Sequence, residues 1–262
     1  MLANDTIYLA GGLNAFERSV NTVSTLNPVS GEQRKVGQMP QAFHDAAGAV
    51  MRGRLFVFGG GSGESSDLVQ AFDFASGGAS VVGHLPKALS DVSAAPSGSA
   101  VYLVGGFDGH TPQPVIYSTL DGISFRIAGR LPVGLRYAAV ASLGGQLVIA
   151  GGVSSRGPVS TVYLFDPADG KVSVLGELPE RVGHATAFAI GGVILVAGGL
   201  DASGHAQKRV FAIDLQGRTI SAEPPLQAAV SDAPAVSDGT HAWIVGGWRG
   251  KALTQVLRVS VG

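Results

Sequence analysis

The hydrophobic positions of this chain come in short runs, and six of those runs close on a pair of glycines. They read IYLAGG, LFVFGG, VYLVGG, LVIAGG, ILVAGG and AWIVGG, with first glycines Gly11, Gly59, Gly105, Gly151, Gly198 and Gly246, spaced by 48, 46, 46, 47 and 48 residues. A short apolar run bounded by turn residues is a strand signal. Past each glycine pair comes a segment of alternating apolar residues that ends in an Asp or Asn, Pro and Gly turn, as in NTVSTLNPVSG and STVYLFDPADG. A further short segment closes on Gly, any residue, Leu or Met, Pro, in GQMP, GHLP, GRLP and GELP, and leads into a small-residue strand such as YAAVASLGG or HATAFAIGG. Four strands therefore recur per repeat: a is rich in Ala, b ends in the glycine pair, c ends in the Asp turn, and d ends in the Leu-Pro corner.

No interval holds a helical periodicity, which rules out parallel strand-helix-strand units and leaves an all-β chain. A period near 47 residues with four strands per unit is the signature of four-stranded antiparallel blades set radially about an axis. The reading is a single domain over 1–262, with repeats at about 6–52, 54–98, 100–145, 146–192, 193–240 and 242–262, the last one partial. Small residues suit strand a if it is innermost, where converging blades leave little room.

On these motifs the chain resembles a six-bladed Kelch β-propeller over nearly its whole length. The glycine pair after b, the Asp-Pro or Asp-Gly turn after c and the Pro before a all match the family. Two positions depart from it. The family's Tyr in strand c is replaced by Leu26, Phe72, Phe165 and Ile213, and its Trp in strand d by aliphatics such as Val36 and Val82. Both are packing positions, so they mark distance from the animal adaptor proteins and leave the fold expectation standing.

A glycine pair repeated at one blade position is explained by architecture before ligand chemistry: the chain there needs a conformation, or a close approach, that a Cβ forbids. The stretch GGGSGESS (59–66) has glycines enough for a phosphate cradle but lacks the Lys-Ser/Thr ending and the following helix.

Composition narrows the function classes. The chain has 262 residues, 45% of them hydrophobic and 14% charged, enough for one substantial core. A net charge of −1 offers no electrostatic case for nucleic acid or anionic lipid. With no cysteine there are no disulfides, thiolate metal sites or cysteine nucleophile. Apolar runs such as GGVILVAGG are far short of the roughly 20 residues a bilayer needs, so no membrane insertion by this segment is expected. No cofactor or metal motif is present. The Ala, Gly and Arg richness leans to a bacterial source, and an extracytoplasmic domain of a longer bacterial protein is the placement that this reading suggests.

Function then falls to the loops. In an a-b-c-d blade the b-c and d-a loops share one face. The b-c loops are long and varied where the c-d turns are short, so the b-c/d-a face is the expected binding face. Peptide-binding Kelch propellers resemble this in loop position. Candidate binding residues there are Arg18, Phe107, Asp108, His110, Arg136, Tyr137, Arg156, His184, Trp248 and Arg249. Arg with exposed aromatics is the stuff of interface anchors, although loop side chains are also commonly just solvated. Asp45, Asp91 and Asp232 recur five residues past the corner proline or its equivalent, and a shared structural job, capping the next turn's backbone, is the expectation for them. No catalytic residue is assigned: Asp108 with His110 and Asp201 with His205 have no diagnostic spacing.

The expected function is a non-catalytic module recognising a protein segment or a glycan. The resemblance implies one rival, a carbohydrate-active enzyme of the sialic acid mutarotase type; the copper radical oxidases of similar fold require a cysteine that this chain lacks. A structural or self-associating propeller is the third reading. Finally, the chain shows six b and six c strands but only five a and five d. The first blade is expected to lack a, the sixth to lack d, with a seam between them where a strand-pairing partner could sit.

Overall fold

The computed structural model describes residues 1–3 and 6–260. Blade I comprises β1 (Leu2–Ala3), β2 (Thr6–Ala10), β3 (Val20–Leu26) and β4 (Gln33–Phe43), and blade II β5 (Ala47–Met51), β6 (Arg54–Phe58), β7 (Leu68–Asp73) and β8 (Ala79–His84). Blade III holds β9 (Ser93–Ser97), β10 (Ala100–Val104), β11 (Val115–Thr119) and β12 (Arg126–Arg130). Blade IV holds β13 (Ala139–Leu143) and β14 (Gln146–Ala150), then a small loop hairpin of β15 (Val153–Ser154) and β16 (Gly157–Pro158), then β17 (Thr161–Asp166) and β18 (Lys171–Glu177). Blade V is β19 (Thr186–Ile190), β20 (Val193–Ala197), β21 (Val210–Asp214) and β22 (Thr219–Glu223); blade VI is β23 (Ala235–Ser237), β24 (His241–Val245) and β25 (Val256–Ser260). All six are antiparallel meanders, blades I to V in the order a-b-c-d and blade VI as a-b-c among the described residues, so the all-β six-bladed reading holds.

The strand count is corrected at one end. Leu2 pairs with Ile7 and Ala3 with Thr6, and the amide of Tyr8 donates to the Met1 carbonyl, so β1 supplies a short innermost strand to blade I. That strand is too short and too polar in its flank to carry the Ala-rich signature of the other a strands. Among the described residues blade VI has three strands and no d strand, as expected.

Strands β5, β9, β13, β19 and β23 lie side by side around the axis, where Ala and Ser let backbones approach. Their serines tie neighbouring a strands: Ser93 Oγ donates to the Ala138 carbonyl and Ser237 Oγ to that of Ala189. Alternate faces of blades II to V bury into their two neighbours, and blades I and VI each bury into one. Five apolar clusters result, one between each successive pair from I/II to V/VI. The corner leucines Leu85, Leu131 and Leu178 sit in three of them, nearly fully buried, each stabilising by roughly 1.5–3 kcal/mol. No such cluster joins VI to I among the described residues.

All six glycine pairs have positive φ, with Gly105 at 65° and Gly106 at 99°. A Cβ on Gly105 would stand 2.2 Å from the Leu135 carbonyl oxygen, so left-handed backbone and close approach both operate.

Candidate functional site at the axial mouth

Each of the five d-a corners carries one non-glycine residue in left-handed conformation: Asp45 (φ 52°), Asp91 (56°), Tyr137 (51°), His184 (60°) and Asp232 (53°). That conformation costs an L residue roughly 1–2 kcal/mol, and a chain of backbone bonds holds it. The amide of Asp91 donates to the Asp45 carbonyl (2.8 Å), Tyr137 to Asp91 (3.0 Å), His184 to Tyr137 (3.1 Å) and Asp232 to His184 (3.0 Å). The corners are thereby linked blade to blade in an arc. Bridges from the corners to the b-c loops, Ser90 with Phe107, Arg136 with Val153 and Ser231 with Trp248 among them, put both loop sets on one face.

The same arc delivers the side chains to one place. The Tyr137 hydroxyl donates to Asp45 Oδ2 at 2.9 Å, reaching from blade IV to blade II. Arg136 Nη1 pairs with Asp91 Oδ2 at 3.2 Å, and its guanidinium lies 4.7 Å from the centre of the Phe107 ring. The Tyr137 and His184 rings stack with centroids 3.8 Å apart. His184 Nδ1 bonds Asp232 Oδ1, whose other oxygen accepts from the Ser231 hydroxyl at 2.7 Å. His44 is held by Ser19 Oγ at 2.8 Å. Asp45, His184 and Asp232 keep 32%, 20% and 28% of their side chains exposed, so the cluster is reachable from solvent.

Electrostatics follow from burial and crowding. Burial raises the Asp91 carboxyl above the usual carboxylate range; the Tyr137 hydrogen bond pulls it down, the Asp45 charge adds to the rise, and Arg136 opposes it. Burial pushes the Tyr137 phenol up, and the charges of Asp45 and Asp91 push it further, so it stays a proton donor. The cluster can donate from Arg136, Tyr137 and Ser231, accept at three carboxyls, and offer ring faces. Among the described residues no group of three or more His, Asp or Glu is arranged to hold a metal ion.

Of the candidate binding residues, Phe107, Arg136, Tyr137 and His184 come together here. Trp248 is half-buried in the bridge to Ser231, with Arg249 exposed beside it. Arg18, His110 and Arg156 are exposed on their own b-c loops, with no side-chain link to the cluster. Asp108 is occupied by its loop: it accepts from the amides of His110 and Thr111 and pairs with Lys87, whose hydrogen bond holds its carboxyl well below the usual range. Asp201 likewise accepts from the amides of Ser203 and His205.

The aspartates need a correction. Asp45, Asp91 and Asp232 do not cap the backbone of the next turn: their recurrence reflects the left-handed backbone, which Asp tolerates better than most residues, and their carboxyls bond side chains of other blades or of the same corner. Position was legible from the count past the proline. The role was not, since Tyr137 and Asp45 are 92 residues apart in sequence.

A family model described as Kelch motif matches residues 134–179, the span from the corner before blade IV to its own Leu-Pro. No curated protein matches the sequence. The solved structure of YjhT is similar to this chain with a TM-score of 0.86 at 16% identity, covering 99% of this chain and 93% of that one, a likeness of fold alone. The glycine pair inside that match recurs at the same position in the other five blades, so the chain is a six-bladed β-propeller with a Kelch motif in blade IV and Kelch-like repeats in the rest.

Proposed function

We propose that the chain is a non-catalytic recognition module whose ligand, a glycan, seats on the axial mouth of the b-c/d-a face. One observation carries this: five corners of identical backbone conformation converge Asp45, Asp91, Tyr137, His184 and Asp232 on one partly exposed cluster. Carboxylates with spare acceptor positions bond sugar hydroxyls, stacked rings offer an apolar face to the sugar ring, and Arg136 suits a carboxylate substituent. The test is a glycan array followed by calorimetry on the wild type and Asp45→Asn, which keeps the oxygen facing Tyr137. A loss of tenfold or more in affinity supports the reading; unchanged affinity for every bound glycan, or selection of a peptide instead, overturns it.

A second reading, a sugar isomerase, is favoured by one feature. The Tyr137 phenol, its acidity suppressed by burial, is a proton donor, and the His184–Asp232 pair stacked beside it supplies acceptor atoms, the two halves of acid-base catalysis. Exchange spectroscopy of the anomers of the bound sugar separates the two: acceleration that His184→Ala abolishes selects the enzyme.

A further inference from the structure

One position of strand c sends a large apolar or aromatic side chain into the core against the preceding blade. It is Tyr117, Tyr163, Phe211 and Leu257 in blades III to VI, paired with Leu103, Ile149, Val196 and Ile244 of strand b. In blade II the residue at this position, paired with Val57, is Gln70, and it is only 2% exposed. Its Oε1 accepts from the Gln41 amide at 2.8 Å, which fixes the carboxamide and turns Nε2 the other way. Among the described residues Nε2 has no hydrogen-bond partner. It faces a pocket of about 50 Å³ between the corner of blade I and the b-c loop of blade II, where Gln41, Phe43, Gly61, Ser62 and Glu64 stand around it. A buried N–H left without an acceptor is costly, so the pocket is built to receive an atom that accepts.

The groove over that pocket is closed in the four blade pairs that follow. The residue two past the corner leucine crosses it or fills it. Lys87 reaches Asp108 and, at 3.2 Å, Gln113 Oε1 between II and III. Val133 and Val159 both pack on the III/IV core, Glu180 pairs with Arg209 between IV and V, and Ala228 and Leu253 pack on the V/VI core. Between I and II the same place belongs to Gln41, whose exposed side chain makes no hydrogen bond among the described residues. The aromatic ring and the crossing pair are thus absent together, and the groove stays open to the b-c/d-a face. It is fixed to the axial mouth, because the amide and carbonyl of Gly61 both bond His44 at 3.0 Å, next to Asp45. Gln41 lies within about 14 Å of Asp45, the most that the chain between them can span.

From this groove we infer a second binding site on the recognition face, one that takes the hydroxymethyl arm of a sugar. Its hydroxyl accepts from Gln70 Nε2 at the floor and donates to the Glu64 carboxylate at the rim, which is exposed and pairs with no cation among the described residues. A carboxylate in that place would meet the charge of Glu64, and an ammonium would leave the Gln70 N–H without an acceptor; a hydroxyl, which both donates and accepts, serves the two groups at once. The inference rests on the reading of this face as a glycan site and gives the ligand a length. One sugar occupies the axial mouth and another reaches the groove between I and II, so the ligand is an oligosaccharide.

Two measurements test this. Calorimetry compares the oligosaccharides selected by the array with counterparts that carry methyl in place of hydroxymethyl. The wild type should bind the hydroxymethyl form about tenfold more tightly, and Gln70→Tyr, which restores the ring of the other blades, should bring that ratio to about one. Gln70→Met removes the N–H at similar volume and replaces Gln70→Tyr if the ring does not fit. The second measurement needs no glycan: the side-chain amide signal of Gln70, identified in NMR spectra by its loss in Gln70→Met, is titrated with ethylene glycol and should shift alike in the wild type and in Asp45→Asn. Equal binding of both sugar forms by the wild type would mean that the pocket holds water alone; it overturns the inference and leaves the glycan reading of the mouth intact. Absence of a Gln70 shift with ethylene glycol overturns it as well. A Gln70 shift in a chain that binds no glycan supports the hydroxyl site and overturns the glycan reading instead.

Discussion

The glycine after strand b can be tested against itself, because Gly105 and Gly246 share one blade position and one backbone conformation, φ 65° and 68°, and differ only in what faces them. Alanine at either must adopt the left-handed region, costing roughly 1–2 kcal/mol. At Gly105 the new Cβ also falls 2.2 Å from the Leu135 carbonyl oxygen, which the Gly106 amide holds at 2.9 Å. Leu135 is fully buried in the III/IV core, so the corner can yield only by repacking that core. Overpacking of this kind costs about 1–3 kcal/mol more. At Gly246 the nearest atom is 3.4 Å away. Gly105→Ala is therefore expected to cost roughly 2–5 kcal/mol against about 1–2 for Gly246→Ala. Urea denaturation followed by far-ultraviolet circular dichroism reads the difference as a lower midpoint for Gly105→Ala at unchanged slope. Equal midpoints would refute the close-approach account of the pair.

Three further outcomes are expected. Arg136→Ala should lower stability by about 1–3 kcal/mol, because the Asp91 side chain it pairs with is only 5% exposed, while the exposed Arg249→Ala should stay within about 0.5 kcal/mol; thermal melts showing equal shifts would contradict this. Asp91 holds its proton in the folded state above the ordinary value of 3.8, so the folded chain binds more protons there. Its contribution is full below that value and lost as pH rises through the raised one; Asp91→Asn should thus gain in melting temperature relative to wild type as pH rises, and a pH-independent difference would count against the burial of the carboxyl. Asp108→Ala should speed amide exchange at His110 and Thr111, whose amides it accepts, with no effect on the amides of the axial corners; unchanged exchange would show that the loop does not depend on it.

Architecture was legible in the sequence because it repeats. The glycine pairs, the Asp turns and the Leu-Pro corners each recur where a backbone conformation or a buried leucine is needed six times or nearly so, and periodicity exposes them. Residues used once left no such trace. β1 is two residues long and was invisible as a strand, since only its pairing with Thr6 and Ile7 defines it. The same holds at the axial mouth: Tyr137 and His184 stood out as side chains, but their stacking and the bond from Tyr137 to Asp45 depend on ring closure, which brings corners two blades apart within hydrogen-bond reach. Asp108 was legible as a loop carboxylate, but its commitment to Lys87 and to its own loop was not, since that is a matter of side-chain direction.

The measurement that bears most directly on recognition at the axial mouth is hydrogen exchange of the whole chain with and without a saturating glycan from the array. The account expects slowed exchange confined to the corners at 44–46, 90–92, 136–138, 183–185 and 231–233 and to the adjoining b-c loops. Protection confined to the c-d turns of the opposite face, or to 256–260 at the seam, would contradict it.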